Sequence, residues 1–242
     1  MNNTLEGKTV LVTGGAQGLG KEITTTLAEA GATVVIGDIQ AEKAESLAAE
    51  LTKAGQKVAF KRLDLSDEKS VEQVINEIKQ EYGSFDVLIN NAGIDFTKAI
   101  TELEVSEWDA AMKVNLRGPF LTSKFGLAVM GEQKSGYIIN IISTAALRAW
   151  TEASVYHASK WGLRGFTQAL FTEARKVGVR VTGLIAGGMR TPFLLDRFPD
   201  INPEVLQDPK NVAIQIKQLL QNNTDSVVPE LMVIPALETS WP

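Results

Sequence analysis

Short β-branched runs alternate with longer amphipathic segments along most of this 242-residue chain, and that rhythm limits the fold more than any single motif. "TVLVTG" (9–14), "TVVIGD" (33–38), "KVAFKRLDL" (57–65), "DVLINNAG" (86–93), "YIINIIS" (137–143) and "VRVTGLI" (179–185) read as strands. Their nearly continuous apolar character is that of strands buried on both faces. Helical segments separate them at 18–30, 41–54, 67–81, 106–131 and 153–177, and Gly31, Gly55 and Gly83 stand where the first three stop. Parallel strands need crossover helices, so this order predicts a doubly wound parallel α/β sheet with helices on both faces. No proline precedes Pro119, and no linker or repeat interrupts the rhythm, so residues 1–242 are read as one domain.

The rhythm loosens over "GGMRTPFLLDRFPDINPEVLQDP" (187–209), which holds four of the eight prolines. A loop of this length is usually functional. Its Phe193, Leu194, Leu195 and Phe198 predict a lid over an apolar pocket, with packing against a neighbouring subunit as the competing expectation. A helix at 210–221 and a short strand near 231–234 follow.

Composition removes several kinds of chemistry. The chain has no cysteine, which excludes disulfides, thiolate catalysis and zinc–thiolate sites and suits a reducing cytoplasm. His157 is the single histidine, so no two-histidine metal site can form within one chain, and no metal is expected. A formal net charge of −5 argues against nucleic acid as a partner. No uncharged apolar run approaches the roughly 18 residues of a membrane span, and "MNNTLEGKTV" lacks the basic and apolar pattern of a signal peptide.

"VTGGAQGLGKE" (12–22) admits two phosphate-binding readings. From Gly15 it is G-x-x-x-x-G-K, but a triphosphate loop needs Ser or Thr after the lysine to hold magnesium, and Glu22 stands there. From Thr13 it is T-G-x-x-x-G-x-G between a strand and a helix. Glycine there allows a tight turn and close approach of backbone to a pyrophosphate. Asp38 ends the second strand, 18 residues after Gly20, where a carboxylate can bond ribose hydroxyls and would repel a 2′-phosphate. Taken alone, an acid at that place is also a helix cap. Loop and acid together point to NAD(H) rather than NADP(H).

"YHASK" puts Tyr156 and Lys160 one helical turn apart, on one face. An ammonium and a cationic nicotinamide ring near the phenol would lower its pKa from the reference value of about 10. Ser143, thirteen residues before Tyr156, ends an apolar strand and offers a hydroxyl to a carbonyl oxygen. His157 projects elsewhere around the helix and reads as a surface or packed residue.

The assembled pattern resembles the short-chain dehydrogenase/reductase family over nearly the whole chain: "TGGAQGLG" (13–20), Asp38, Asp64 in "LDL", "NNAG" (90–93), Asn115 in "KVNLRG", Ser143 and "YHASK" (156–160). The resemblance implies a Rossmann-type sheet and a catalytic set of Asn115, Ser143, Tyr156 and Lys160. In that set Tyr156 is the acid/base, Lys160 holds the nicotinamide ribose, Ser143 positions the reacting oxygen and Asn115 anchors a relay water. It also implies a cofactor track along Gly14, Gln17, Gly18, Leu19, Gly20, Asp38, Asp64, Leu65, Asn91, Ala92, Gly93, Gly187 and Thr191, ending at Tyr156 and Lys160. Asp95, Phe96, Arg148, Trp150 and Glu152 fall in segments that line the substrate pocket in such proteins. A homotetramer or homodimer is the implied assembly.

Departures from the family pattern are Ala186-Gly187 where Pro-Gly is usual, Ile142 where a second serine often stands, and the ending "ELMVIPALETSWP". The implied activity is NAD-dependent interconversion of a secondary alcohol and a ketone. A 3-oxoacyl-(acyl-carrier-protein) reductase is the alternative within the class, with Lys134, Arg175 and Lys176 as a possible basic patch. A non-catalytic NAD sensor is the alternative outside it, although a sensor has no need of all four catalytic residues.

Overall fold

The computed structural model describes residues 4–222 and 225–238; the last four residues of the unusual ending lie outside them. Among the described residues seven strands form one parallel sheet: β1 (Thr9–Thr13), β2 (Thr33–Asp38), β3 (Lys57–Arg62), β4 (Val87–Asn90), β5 (Gly136–Ser143), β6 (Val179–Ala186) and β7 (Glu230–Val233). Their order is β3-β2-β1-β4-β5-β6-β7. The doubly wound Rossmann-type fold expected from the alternating runs is what forms.

Alternation within each strand assigns the two cores. Val10 and Val12 of β1 and Ile139 and Ile141 of β5 point to one face, covered by α1 (Gly18–Glu29) and α8 (Pro209–Gln221) through Ile23, Leu27, Val212 and Ile216. α2 (Ala41–Lys53) covers the same face of β2 through Leu47 and Leu51 against Ile36. Leu11, Leu88 and Ile138 point the other way, onto α3 (Glu68–Tyr82), α5 (Gly118–Gln133) and α6 (Ser154–Ala174). Two covered faces are the reason these strands read as unbroken apolar runs.

The chain departs from the expected elements at three places. The helix expected at 106–131 is interrupted: α4 (Val105–Met112) gives way to a π-helical turn at Lys113–Arg117 before α5 begins. Such single π turns recur at functional positions, and this one carries the fully buried Asn115. The third strand stops at Arg62, since Asp64 turns the chain through bonds from Ser66. The helix at 153–177 ends its α-helical part at Ala174 and closes in a 3-10 turn.

One polar thread runs through the apolar interior. Asn90 and Asn140 face each other in register on β4 and β5. The Asn90 carboxamide donates to Asn140 Oδ1 (2.8 Å) and accepts from Thr122 (2.6 Å), while Asn140 donates to Thr167 (2.8 Å). Each buried amide is therefore satisfied, as its burial requires.

Candidate active site

Sheet order reverses between β1 and β4, so loops leaving their C-terminal ends diverge and open a crevice. A cavity of about 380 Å³ fills that crevice, and residues following β1 through β6 all contribute to its lining.

Its first half is built largely from backbone. Gly14 and Gly18 have φ of +62° and +54°, which glycine adopts without strain. A Cβ on Gly20 would stand 1.9 Å from the Gly14 carbonyl oxygen, so the loop closes onto α1 only with glycine there. Gln17 caps α1 without a side-chain bond, and the first turn carries no acid. The free N–H groups of Gly18, Leu19 and Gly20 thus present the positive end of a helix to the cavity, an arrangement that favours an anion. Asn91 pins the loop from β4: its Nδ2 donates to the carbonyls of Thr13 and Gly14 (3.0 Å each), and its N–H to Thr13 Oγ1 (3.0 Å).

Asp38 lies buried at the end of β2, accepting from the N–H groups of Ala16 (3.1 Å) and Gln40 (3.0 Å). It is both cavity wall and local brace, so the capping and ligand-binding readings of this acid are compatible. Gln17 accepts from Lys43 at the rim (2.8 Å). Asp64, Leu65, Ala92 and Gly93 complete this half. An uncapped helix, side-chain-free glycines and a carboxylate in one groove suit a dinucleotide.

The second half is built from side chains. Tyr156 and Lys160 leave α6 on one face, with the ammonium 5.7 Å from the phenol ring centre. The Ser143 hydroxyl is hydrogen-bonded to the phenol. Lys160 donates to the Ile141 carbonyl (2.9 Å), and a Cβ on Gly93 would lie 3.7 Å from its Nζ. Burial pushes the Tyr156 phenol up to about 12, against the hydrogen bond from Ser143. Burial likewise pushes the Lys160 ammonium down to about 8. The expected lowering of the phenol by Lys160 is thus absent in the free protein. The tyrosine is half-buried in the cavity wall, and the ammonium is aimed at a carbonyl of β5 instead.

Asn115 bridges both halves. Its Nδ2 donates to the Ile94 carbonyl (2.7 Å) and to Ser159 (3.1 Å), and its Oδ1 accepts from the Ile94 N–H (2.8 Å). The π turn brings this carboxamide to the chain leaving β4, close behind Lys160.

The sequence profile of the short chain dehydrogenases matches residues 8–202. A 3-oxoacyl-(acyl-carrier-protein) reductase of Thermotoga maritima is 35% identical over 196 residues, covering 81% of this chain and 79% of that protein. An uncharacterized oxidoreductase of the same organism is 36% identical over 203 residues, 82% of this chain and 79% of its own length. Among solved structures, an alcohol dehydrogenase from the archaeon Thermococcus sibiricus, complexed with 5-hydroxy-NADP, superposes with a TM-score of 0.88 at 27% identity, over 96% of this chain and 97% of that one. The chain belongs to the short-chain dehydrogenase family.

Membership in this oxidoreductase family accounts for the neighbourhood of residues far apart in sequence. Gly14, Gln17, Gly18, Leu19, Gly20, Asp38, Asp64, Leu65, Asn91, Ala92, Gly93, Ser143, Tyr156, Lys160, Gly187 and Thr191 all line the one cavity, and Asn115 stands just behind it. The Asn91 side chain is spent on the glycine loop. Ala186, in place of the usual proline, is a ladder residue, registered with Ser143 on one side and Val233 on the other.

Expectations for the outer wall hold in part. Asp95 and Trp150 line the cavity, whereas Phe96, Arg148 and Glu152 do not; Phe193, Leu194 and Phe198 line it, whereas Leu195 does not. Glu152 instead uses its carbonyl to accept from the Lys98 N–H (2.9 Å), joining the two wall loops. Unforeseen was Arg197, which reaches back from the 187–209 segment to Asp95. His157 is packed, as expected of a non-catalytic residue. Its Nδ1 bonds the Ala145 carbonyl (2.7 Å), its Nε2 accepts from the Trp150 N–H (3.1 Å), and it splints the loop after β5. Among the described residues no group of potential metal ligands forms, and no helix is long and apolar enough to cross a membrane.

Proposed function

We propose that this short-chain dehydrogenase interconverts a secondary alcohol and a ketone with NAD(H). One observation carries the reading: the Ser143–Tyr156 hydrogen bond and the Lys160 ammonium share a cavity with the buried carboxylate of Asp38. The glycine loop and the start of α1 would hold the pyrophosphate, Asp38 the adenosine ribose, and Lys160 the nicotinamide ribose. When bound, the nicotinamide supplies or accepts the hydride, which is the demanding part of the reaction.

The chain's own residues then have the simpler task of moving one proton and orienting one oxygen. In reduction, Tyr156 starts as a neutral phenol, secured by its burial, and donates its proton to the carbonyl oxygen as charge builds there. The Ser143 hydroxyl aligns that oxygen. In oxidation the Tyr156 phenolate takes the proton of the alcohol oxygen and becomes the neutral phenol again. Lys160, near 8, keeps substantial ammonium character at neutral pH, and with its Nζ 5.7 Å from the phenol ring centre it would offset the charge of a phenolate formed there. Asn115 keeps the Ile94 segment fixed beside it. The 187–209 segment acts as a lid, its two ends fastened by the Met189–Gln207 bridge and by Gln207 donating to Val233 (3.0 Å).

The basic patch offered for a carrier protein lends no support to the alternative. Lys134 precedes β5 and Arg175 and Lys176 precede β6, so they lie at the opposite ends of these strands from the cavity. A strand of eight residues spans about 26 Å.

Fluorescence titration of NADH and NADPH tests the cofactor assignment. Wild type should bind NADH more tightly, and Asp38→Ala should weaken NADH while improving NADPH, shifting their ratio by about tenfold or more, as expected when a carboxylate–ribose pair is lost. Equal affinity in wild type would refute the NAD preference; binding of neither would remove the reading altogether.

A further inference from the structure

Arg197 is the least expected side chain in the cavity wall. It extends from just beyond α7 (Pro192–Leu195) in the lid and crosses to the loop that follows β4. Its Nη1 donates to the Phe193 carbonyl (2.8 Å) and lies 3.8 Å from Asp95 Oδ2, while Nη2 donates to the Asp95 carbonyl (3.3 Å). The guanidinium also stacks 4.0 Å over the ring of Phe193. The same ring meets Tyr156, centre to centre at 5.7 Å and tilted by 44°. One guanidinium thus ties three things together: the lid backbone, the opposite wall, and an aromatic ring beside the phenol.

Asp95 is held for this purpose. It is largely buried, and burial pushes its carboxyl up while Arg197 pulls it back. An unpaired carboxylate in that place would be costly, so the cross-wall contact satisfies a group on each side. Around the pair the wall is apolar and largely aromatic: Ile94, Trp150, Phe193, Leu194 and Phe198. The pair brings no net charge to it, and each of Arg197's two terminal nitrogens donates to a protein carbonyl. A ligand's carboxylate would have to break this arrangement to be recognised.

We infer that Arg197 is a positioning residue that latches the lid to Asp95, holds Phe193 against Tyr156, and thereby selects a neutral substrate with an aromatic substituent beside the reacting carbon. Aromatic rings pack edge-on or offset against one another at about 4.5–7 Å, and Phe193, Trp150 and Phe198 offer such surfaces within one wall. This inference rests on the alcohol–ketone reading given above.

Two measurements test it, one of which needs no turnover. Amide hydrogen exchange reads the latch itself. Arg197→Met, which keeps length and packing, and Asp95→Asn should each speed exchange across 192–201 roughly several-fold, since each removes the same Arg197–Asp95 ion pair. The double variant should be no faster than either single one, and β4–β6 should be unchanged. Additive acceleration, or none, overturns the latch.

Steady-state rates with acetophenone and 2-butanone, as matched aryl and alkyl ketones, read selectivity. Wild type should favour acetophenone. Arg197→Met should raise its KM several-fold with a smaller change in kcat, leave 2-butanone nearly unaffected, and be partly restored in Arg197→Lys. Equal preference in wild type, or equal loss on both ketones, overturns the selectivity claim. Absence of turnover on either ketone with both cofactors, alongside an intact exchange result, overturns the alcohol–ketone reading and the selectivity with it, and leaves the latch standing.

Discussion

The two halves of the cavity are held together by different means. In the half that ends at Asp38, the backbone is fixed by its own hydrogen bonds and by neighbours at strand ends: Asn91 to Thr13 and Gly14, Asp38 to Ala16 and Gln40. In the half that ends at Arg197, side chains reach across between segments with little regular structure of their own. His157 from α6, Asn115 from the π turn and Arg197 from the lid carry the connections between these segments. A frame closed by backbone tolerates exchange of side chains but not of glycine. A frame closed by side chains has the opposite sensitivity, and its shape can be retuned one residue at a time.

Variants in each half sharpen that contrast. The largest effect belongs to Tyr156→Phe, which removes the proposed proton donor and should lower kcat by about 10²–10⁴-fold while NADH titration stays close to wild type. Loss of cofactor binding in this variant would mean that the two halves are not separable. Next comes Gly20→Ala. Its methyl would fall 1.9 Å from the Gly14 oxygen and 2.7 Å from Asn91 Nδ2, so the loop must shift. Thermal melts should show a loss of about 3 kcal/mol or more, with cofactor affinity falling in parallel. A folded, tightly binding Gly20→Ala protein would show that the first half is softer than its hydrogen bonds imply.

Smaller, and opposite in sign, is the stability effect of Lys160→Met. The folded state holds this amine near 8, below the ordinary lysine value, so the buried ammonium costs stability. That cost is complete below pH 8, where both folded and unfolded chains carry the proton. It fades as pH rises from about 8 toward about 10.4, because the folded protein releases the proton first. Lys160→Met should therefore lose activity yet melt higher at pH 7, by on the order of 2 kcal/mol, with the gap narrowing at pH 9.5. A gap that widens with pH would reverse the assignment.

Legibility in the sequence follows the same division. The first half was readable because each of its parts is local: strand, glycines and helix start are contiguous, and Asp38 ends the next strand. The helix spacing of Tyr156 and Lys160 was readable for the same reason. The break in the 106–131 helix was not, since a π turn leaves the apolar pattern almost intact and its cause, the chain at Ile94, lies 21 residues away. Arg197 was invisible because its partner is 102 residues distant and neither residue is unusual in its own segment. The phenol's upward shift escaped for another reason: charge spacing can be read from sequence, whereas the depth at which a ring is buried cannot. Of the outer wall, Phe96, Arg148 and Glu152 were placed in the right loops, but loop residues turn their side chains by context that spacing does not encode.

The paired amides of Asn90 and Asn140 have a further consequence. Strands that are apolar on both faces carry little side-chain signal of their own against a shift in register. The amides do: moving β4 by one residue against β5 would set Asn90 beside Ile139 or Ile141 and break the buried hydrogen bond between the two carboxamides. They act as an index mark, fixing the relative height at which two strands emerge from the sheet. Ser143 lies three residues beyond Asn140 on β5, so the height at which the hydroxyl proposed to align the reacting oxygen emerges relative to β4 is fixed by a contact in the interior.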